Sequence, residues 1–206
     1  MQHIAWDPGA AEVARGLSAR LDAPLVLGGY SRLVVDLNRP LRSPESMPAQ
    51  SAGVRIPGNL NLSPRARAAR VAALFVPYHQ AVEHLLDVLA DRRPLLMSIH
   101  SFSPEFGGRW RPWQVGVAYG RDRRLGDLMR NALAVERDLR IGDNQPYAID
   151  NAFDYTLPTH GVGRGIAHVM IEIRQDELRG AAAVGTWVER LAEAYERIET
   201  SLLDPL

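Results

Sequence analysis

A three-layer α/β/α fold around a central mixed sheet is what this sequence predicts, and three observations predict it. Short, nearly continuous apolar runs at 94–99, 114–119 and 167–174 read as buried strands. Stretches of helical period alternate with them. The 206 residues, 46% hydrophobic and 23% charged, make about one domain with one sizeable core, so residues 1–206 are taken as a single domain.

Asp7-Pro8, followed by Ala11, Val13, Ala14, Leu17 and Leu21, reads as an N-capped amphipathic helix. Strands are expected at 25–27 and 33–35, the second running into the polar cluster Asp36-Leu37-Asn38-Arg39-Pro40. Residues 40–62, rich in Pro, Ser, Gly and Asn, form a long loop of the kind that often carries function. Ser63-Pro64 opens the strongest helix signal, which runs to about Asp91 with a kink or break at Pro77. The strand at 94–99 delivers His100 to the Gly/Pro/aromatic-rich loop 101–113. A strand at 114–119, a helix at 121–138, an irregular segment at 143–165, a strand at 167–174 and a closing helix at 180–201 complete the chain, with no internal repeat.

Composition narrows the chemistry. Lys plus Arg and Asp plus Glu both number 24, and this zero net charge argues against a sequence-independent grip on nucleic acid. No apolar run approaches the about 20 residues that span a bilayer, and the first residues carry no basic head before an apolar stretch. A cytoplasmic protein with no membrane partner is expected. The absence of cysteine excludes disulfides, thiolate ligands and a cysteine nucleophile. All the basic residues are arginine, which excludes a lysine Schiff base and a P-loop lysine. His, Asp, Glu, Ser, Tyr and a bound metal remain.

Three polar groups sit at expected strand ends, where open α/β sheets bind ligands: Asp36 to Arg39, His100 to Ser103, and Glu172 with Arg174. His100 is either a structural histidine or a metal ligand. Glu172 interrupts an apolar strand, where an isolated ionised carboxylate is costly. It is either the ion-pair partner of Arg174, two residues away on the same face, or a general base with a raised pKa beside a metal-bound water. Arg39 is either a surface charge or the bidentate partner of a carboxylate, with Arg32 earlier in the same segment.

The sequence resembles the N-formylglutamate amidohydrolase family. The segments that carry the resemblance are His3-Ile4-Ala5-Trp6-Asp7, Tyr30-Ser31-Arg32-Leu33-Val34-Val35-Asp36-Leu37-Asn38-Arg39, Ser98-Ile99-His100-Ser101-Phe102, Arg111-Pro112-Trp113, Asp143-Asn144-Gln145-Pro146-Tyr147 and Ile171-Glu172-Ile173-Arg174-Gln175-Asp176. A more distant similarity, to zinc carboxypeptidases and aspartoacylases, implies their fold and roles. His100-Ser101-Phe102-Ser103 looks like the segment whose histidine binds zinc. Asp36-Leu37-Asn38-Arg39 looks like the one that holds the substrate carboxylate, and Glu172-Ile173-Arg174 like the one whose glutamate is the general base.

The resemblance thus implies zinc-assisted hydrolysis of the N-formyl or similar N-acyl amide of a small acidic amino acid such as N-formyl-L-glutamate. It makes Glu172 the base, Arg32 an oxyanion stabiliser, Asn38 and Arg39 the carboxylate clamp, and His100 with Asp7 the metal ligands. Arg111, Tyr147 and His160 fall in loops expected to close over the substrate. The family begins about forty residues earlier, with a strand ending in an Asp-His-Ala-Ser type motif whose histidine is an expected ligand of the three a catalytic zinc takes. That strand is expected to be missing here. His3 is a candidate replacement, and Gln145 stands where the family commonly has glutamate. The alternative is a metal-free, non-catalytic member that binds small carboxylates or acts as an interaction protein.

Overall fold

The structure, a computed structural model, describes residues 4–203, so His3 lies outside the described residues. In chain order the regular elements are α1 (Ala10–Leu21), the two-residue strands β1 (Gln50–Ser51) and β2 (Val54–Arg55), α2 (Pro64–Arg70), α3 (Val76–Val88), β3 (Leu96–Phe102), β4 (Glu105–Phe106), β5 (Arg109–Trp110), β6 (Val115–Ala118), α4 (Arg124–Leu133), β7 (Ile141–Asp143), β8 (His168–Arg174) and α5 (Ala181–Leu203). The chain divides into two compact units of interleaved segments. The first comprises Met1–Trp6, Val26–Pro94 and Asp150–Ile166; the second comprises Asp7–Leu25, Leu95–Ile149 and Ala167–Leu206.

The second unit holds an open four-stranded sheet in the order β3-β8-β6-β7. β8 runs parallel to β3 and antiparallel to β6, and β6 runs parallel to β7, so the sheet is mixed. Every residue of β8 is buried, which is why its sequence reads as a nearly continuous apolar run. Side chains alternate between the two faces. Val169, Ile171 and Ile173 join Val115 and Val117 in one core with Leu17 of α1, Met129 of α4, and Trp187 and Leu191 of α5. The even-numbered residues of β8, Glu172 among them, therefore face away from those helices. The mixed sheet with helices is as predicted; within this unit α1, α4 and α5 share the one core.

In the first unit a smaller core gathers Val35, Met47 and Phe75. The helix opened by Ser63, whose Oγ accepts from the Ala66 N–H, runs from α2 into α3 through a π-helical turn, Val71–Phe75. Pro77 lacks the N–H that would close a regular turn there, and the widened turn accommodates it. Of the kink or break expected at Pro77, the chain shows no break: the irregularity is a bulge in a continuous helix.

Two strand expectations and one cap are corrected. Residues 25–27 and 33–35 form no strand. Around 31–39 the backbone is satisfied locally: Leu33 N–H donates to Ser31 Oγ, Val34 N–H to the Ser31 carbonyl, and Asn38 N–H to Asp36 Oδ1. Such bonds compete with a ladder. Val35 is apolar because it is buried, 2% exposed, and not because it pairs. At α1, Gly9 in the left-handed region (φ 81°) is the N-cap residue, two positions after the expected Asp7, whose Oδ2 meets His100 Nδ1.

Gly116 of β6 and Gly142 of β7 are register partners, and a Cβ on either would collide with the Gln145 carbonyl that lies over both. Gly116→Ala should therefore cost about 1–3 kcal/mol of stability through overpacking. Urea denaturation measures this; an unchanged midpoint would show that the 143–147 loop yields freely.

Candidate active site

In the second unit, the parallel register of β3 and β8 sets His100 opposite Glu172, and the antiparallel register of β6 sets Gly116 on Glu172's other side. With Gly142 beyond, one row crosses four strands on the face turned from the helical core: His100, Glu172, Gly116, Gly142. The glycines admit the Gln145 carbonyl to this face, so Gln145 contributes main chain here. Glu172 is 6% exposed.

His100 Nδ1 lies 2.7 Å from Asp7 Oδ2. A carboxylate accepts, so Nδ1 carries the proton and, in the neutral ring, Nε2 keeps its lone pair. Ser101 Oγ donates to the Pro8 carbonyl at 2.8 Å, tying the segment that carries Asp7 to the end of β3. Asp7 thus orients His100, the arrangement found behind metal-bound histidines. Among the described residues no group of three or more His, Asp or Glu side chains is placed to hold a metal ion. One oriented imidazole is one of the three ligands a catalytic zinc takes, so these residues do not by themselves make a zinc site.

Arg174 resolves the ion-pair alternative for Glu172. Its Nε donates to Asp176 at 2.6 Å and its Nη2 to Glu177 at 2.9 Å. Its Nη1 donates to the carbonyls of Arg111, Pro112 and Trp113, and its guanidinium stacks on Trp110. It neutralises the acids that follow β8 and anchors the base of the β4–β5 hairpin. Arg111 Nη1 donates to the Tyr147 hydroxyl at 3.0 Å, with its guanidinium against the rings of Phe106 and Tyr147. These two predicted substrate residues are therefore in contact with each other.

In the first unit, Asn38 Oδ1 accepts the N–H groups of Tyr155 and Thr156, and its Nδ2 donates to Asp154 Oδ1 at 3.0 Å. Asn38 is thus a cap for the helical turns that follow. Arg39 meets Asp154 at 3.1 Å and also donates to the carbonyls of Asn38 and Phe153, all through Nη1. Nε and Nη2, the edge that grips a carboxylate bidentately, take no part in these bonds. Asp154, which the sequence reading missed, sits in the irregular 143–165 segment with no pattern to mark it. Arg32 donates its backbone N–H to the Ala5 carbonyl at 3.0 Å.

His160 belongs to a second histidine pair. Its Nε2 lies 3.0 Å from His79 Nδ1, and His79 Nε2 lies 2.9 Å from the Leu37 carbonyl. They border a cavity of about 300 Å³ lined also by Phe75, Gln80, Glu83 and Tyr155. His79 escapes a sequence reading because a histidine in an apolar helix looks structural.

An open mixed sheet that presents a buried carboxylate beside an oriented imidazole is an α/β framework for hydrolytic chemistry. The family model described as N-formylglutamate amidohydrolase matches residues 1–178, and the chain belongs to that family. The crystal structure of gene product Atu2144 from Agrobacterium tumefaciens is similar, with a TM-score of 0.92 and 36% identity over 98% of this chain and 81% of that one. A comparison with curated proteins gave no match. Among the described residues no helix is long and apolar enough to cross a membrane.

Burial lowers the pKa of His79 from 6.5 to about 4, because the cation loses its hydration. Below pH 6.5 the unfolded chain takes up a proton that the folded chain refuses. The His79 contribution to stability, full above pH 6.5, should fall by roughly 3 kcal/mol as the pH drops to about 4 and change little below that. Thermal melts of the wild type and His79→Gln read this: the variant should lose less stability across that window, and parallel curves would refute it.

Proposed function

We propose that the chain hydrolyses the N-acyl amide of a small acidic amino acid, with N-formyl-L-glutamate, cleaved to formate and glutamate, as its substrate. The observation that carries this reading is the pairing of His100 with Glu172 across β3 and β8, in a chain of the N-formylglutamate amidohydrolase family. The three-layer, zinc carboxypeptidase-like architecture is part of the same proposal. The binder alternative has no observation in its favour.

In this reading Glu172 takes a proton from water as the water oxygen adds to the formyl carbon. The C–N bond then breaks, and Glu172 returns the proton to the departing nitrogen. Its burial keeps bulk water from competing for that proton. Arg32 is proposed to stabilise the developing oxyanion. Arg39 supplies the cation for the substrate carboxylate through Nε and Nη2, while Asn38 holds Asp154 in place against its other edge. The tie between Arg111 and Tyr147 gives the substrate loops a fixed polar pair.

Zinc remains the cofactor the resemblance implies, and when bound it would polarise the carbonyl and acidify a water towards pKa ~7. His100 Nε2 is the ligand proposed from this chain, and Asp7 is proposed to orient it. Any zinc that elemental analysis finds after loading and desalting should be lost in His100→Ala; equal retention by the variant would remove His100 as a ligand.

Formate release from N-formyl-L-glutamate tests the function. Glu172→Gln should lower kcat by about 10²–10⁴-fold with KM little changed. Arg39→Ala should raise KM about tenfold or more. An undiminished kcat in Glu172→Gln would exclude it as the base, and no formate from the wild type would sink the substrate assignment.

A further inference from the structure

We infer that His79 and His160 form a two-imidazole relay, anchored on the Leu37 carbonyl, that positions Asn38 and Arg39 for their carboxylate ligand. This makes His79 a positioning residue, and it rests on the carboxylate-binding role proposed above for that segment.

The proton positions follow from one fixed point. A carbonyl oxygen only accepts, so the 2.9 Å contact with Leu37 makes His79 Nε2 the donor. In the neutral ring His79 Nδ1 then bears a lone pair, and the 3.0 Å contact must be donated by His160 Nε2–H. His160 Nδ1 is left as an acceptor. Both rings hold the neutral form that this chain of bonds needs, since burial lowers the pKa of each. The His79 ring is also held in orientation by the rings of Phe75, Tyr155 and Tyr78, with centroids 4.3, 4.6 and 5.0 Å away.

These bonds close a circuit. From the Leu37 carbonyl it passes through His79 to His160, back along the turn Leu157–Gly161 to Thr156, and from the Thr156 N–H to Asn38 Oδ1, one residue after Leu37. Asp36 N–H, bonded to the Ser46 carbonyl at 2.8 Å, fixes the segment on its other side. The orientation of the Leu37–Asn38 peptide is therefore fixed on its carbonyl side by an imidazole 42 residues away, and on its N–H side by Asp36 Oδ1. Arg39 follows directly, and its bonds to Asp154 and Phe153 hold it to the same partner segment as Asn38. Loss of His79 opens the circuit beside an existing cavity, where water can enter and leave the peptide held only through the Asn38 N–H bond to Asp36 Oδ1.

Two-bond ¹⁵N–¹H spectra of the wild type at neutral pH should show both His79 and His160 as Nε2–H tautomers; an Nδ1–H tautomer at either overturns the relay. In His79→Phe, amide exchange across residues 36–39 should quicken about tenfold or more, as expected for loss of one buried hydrogen bond. KM for N-formyl-L-glutamate should rise by a similar factor, with kcat within about threefold. His79→Gln, which keeps one donor and one acceptor, should recover most of the wild-type KM and exchange. Unchanged exchange in His79→Phe, or a kcat loss at constant KM, overturns the inference. Should His79→Phe fail to fold, the wild-type tautomers and the Gln variant decide it. A wild type that releases no formate would sink the proposed function, while tautomers and exchange would still decide the relay.

Discussion

The register between two parallel strands decides which polar groups meet in the second unit. A slip of one residue in β8 would turn every side chain to the opposite face. What forbids the slip is the packing of Val169, Ile171 and Ile173 against α1, α4 and α5. Those odd-numbered residues lock the even-numbered ones outward, so the placement of Glu172 beside His100 is enforced by apolar contacts in which neither takes part. Hydrophobic burial is non-directional, yet through the strand's twofold alternation it becomes a positioning force.

Charge is apportioned with similar economy. Arg174 follows Glu172 by two residues and faces the same way, so proximity in sequence suggests a pair. Its fork is already filled by Asp176, Glu177 and three successive carbonyls of the 111–113 segment. A buried guanidinium needs that many acceptors, since an unmet charge in the interior is costly. The consequence is a hairpin whose base is fastened to β8. In the first unit Arg39 follows another rule: three acceptors converge on a single nitrogen and the rest of the fork is left out of them.

Much of this is legible in the sequence. A strand buried on both faces announces itself as an apolar run, as β8 does, and Glu172 marks itself by interrupting it, while His100 stands where the apolar run of β3 ends. Residues 33–35 look like a strand for the same reason, but Ser31 and Asp36 satisfy the backbone that a neighbouring strand would otherwise take. Asp7 looks like a helix cap because of its place before Pro8, yet the helix is capped at Gly9, and Asp7 Oδ2 meets His100, 93 residues away. Asp154 and His79 carry no local signal at all. Their partners, Asn38 and Leu37, lie 116 and 42 residues away, and nothing short of the fold brings those segments together.

The paired glycines of β6 and β7 have a consequence for evolvability. On that flank of Glu172 the neighbouring surface is the Gln145 carbonyl, a main-chain atom common to every amino acid. Replacing the side chain of Gln145 leaves the carbonyl where it is, and adding a side chain at Gly116 or Gly142 evicts it. Point mutation therefore has little purchase on the shape of this wall. A lineage, or an engineer, seeking a wider or narrower wall there must change the path of the 143–147 loop by insertion or deletion.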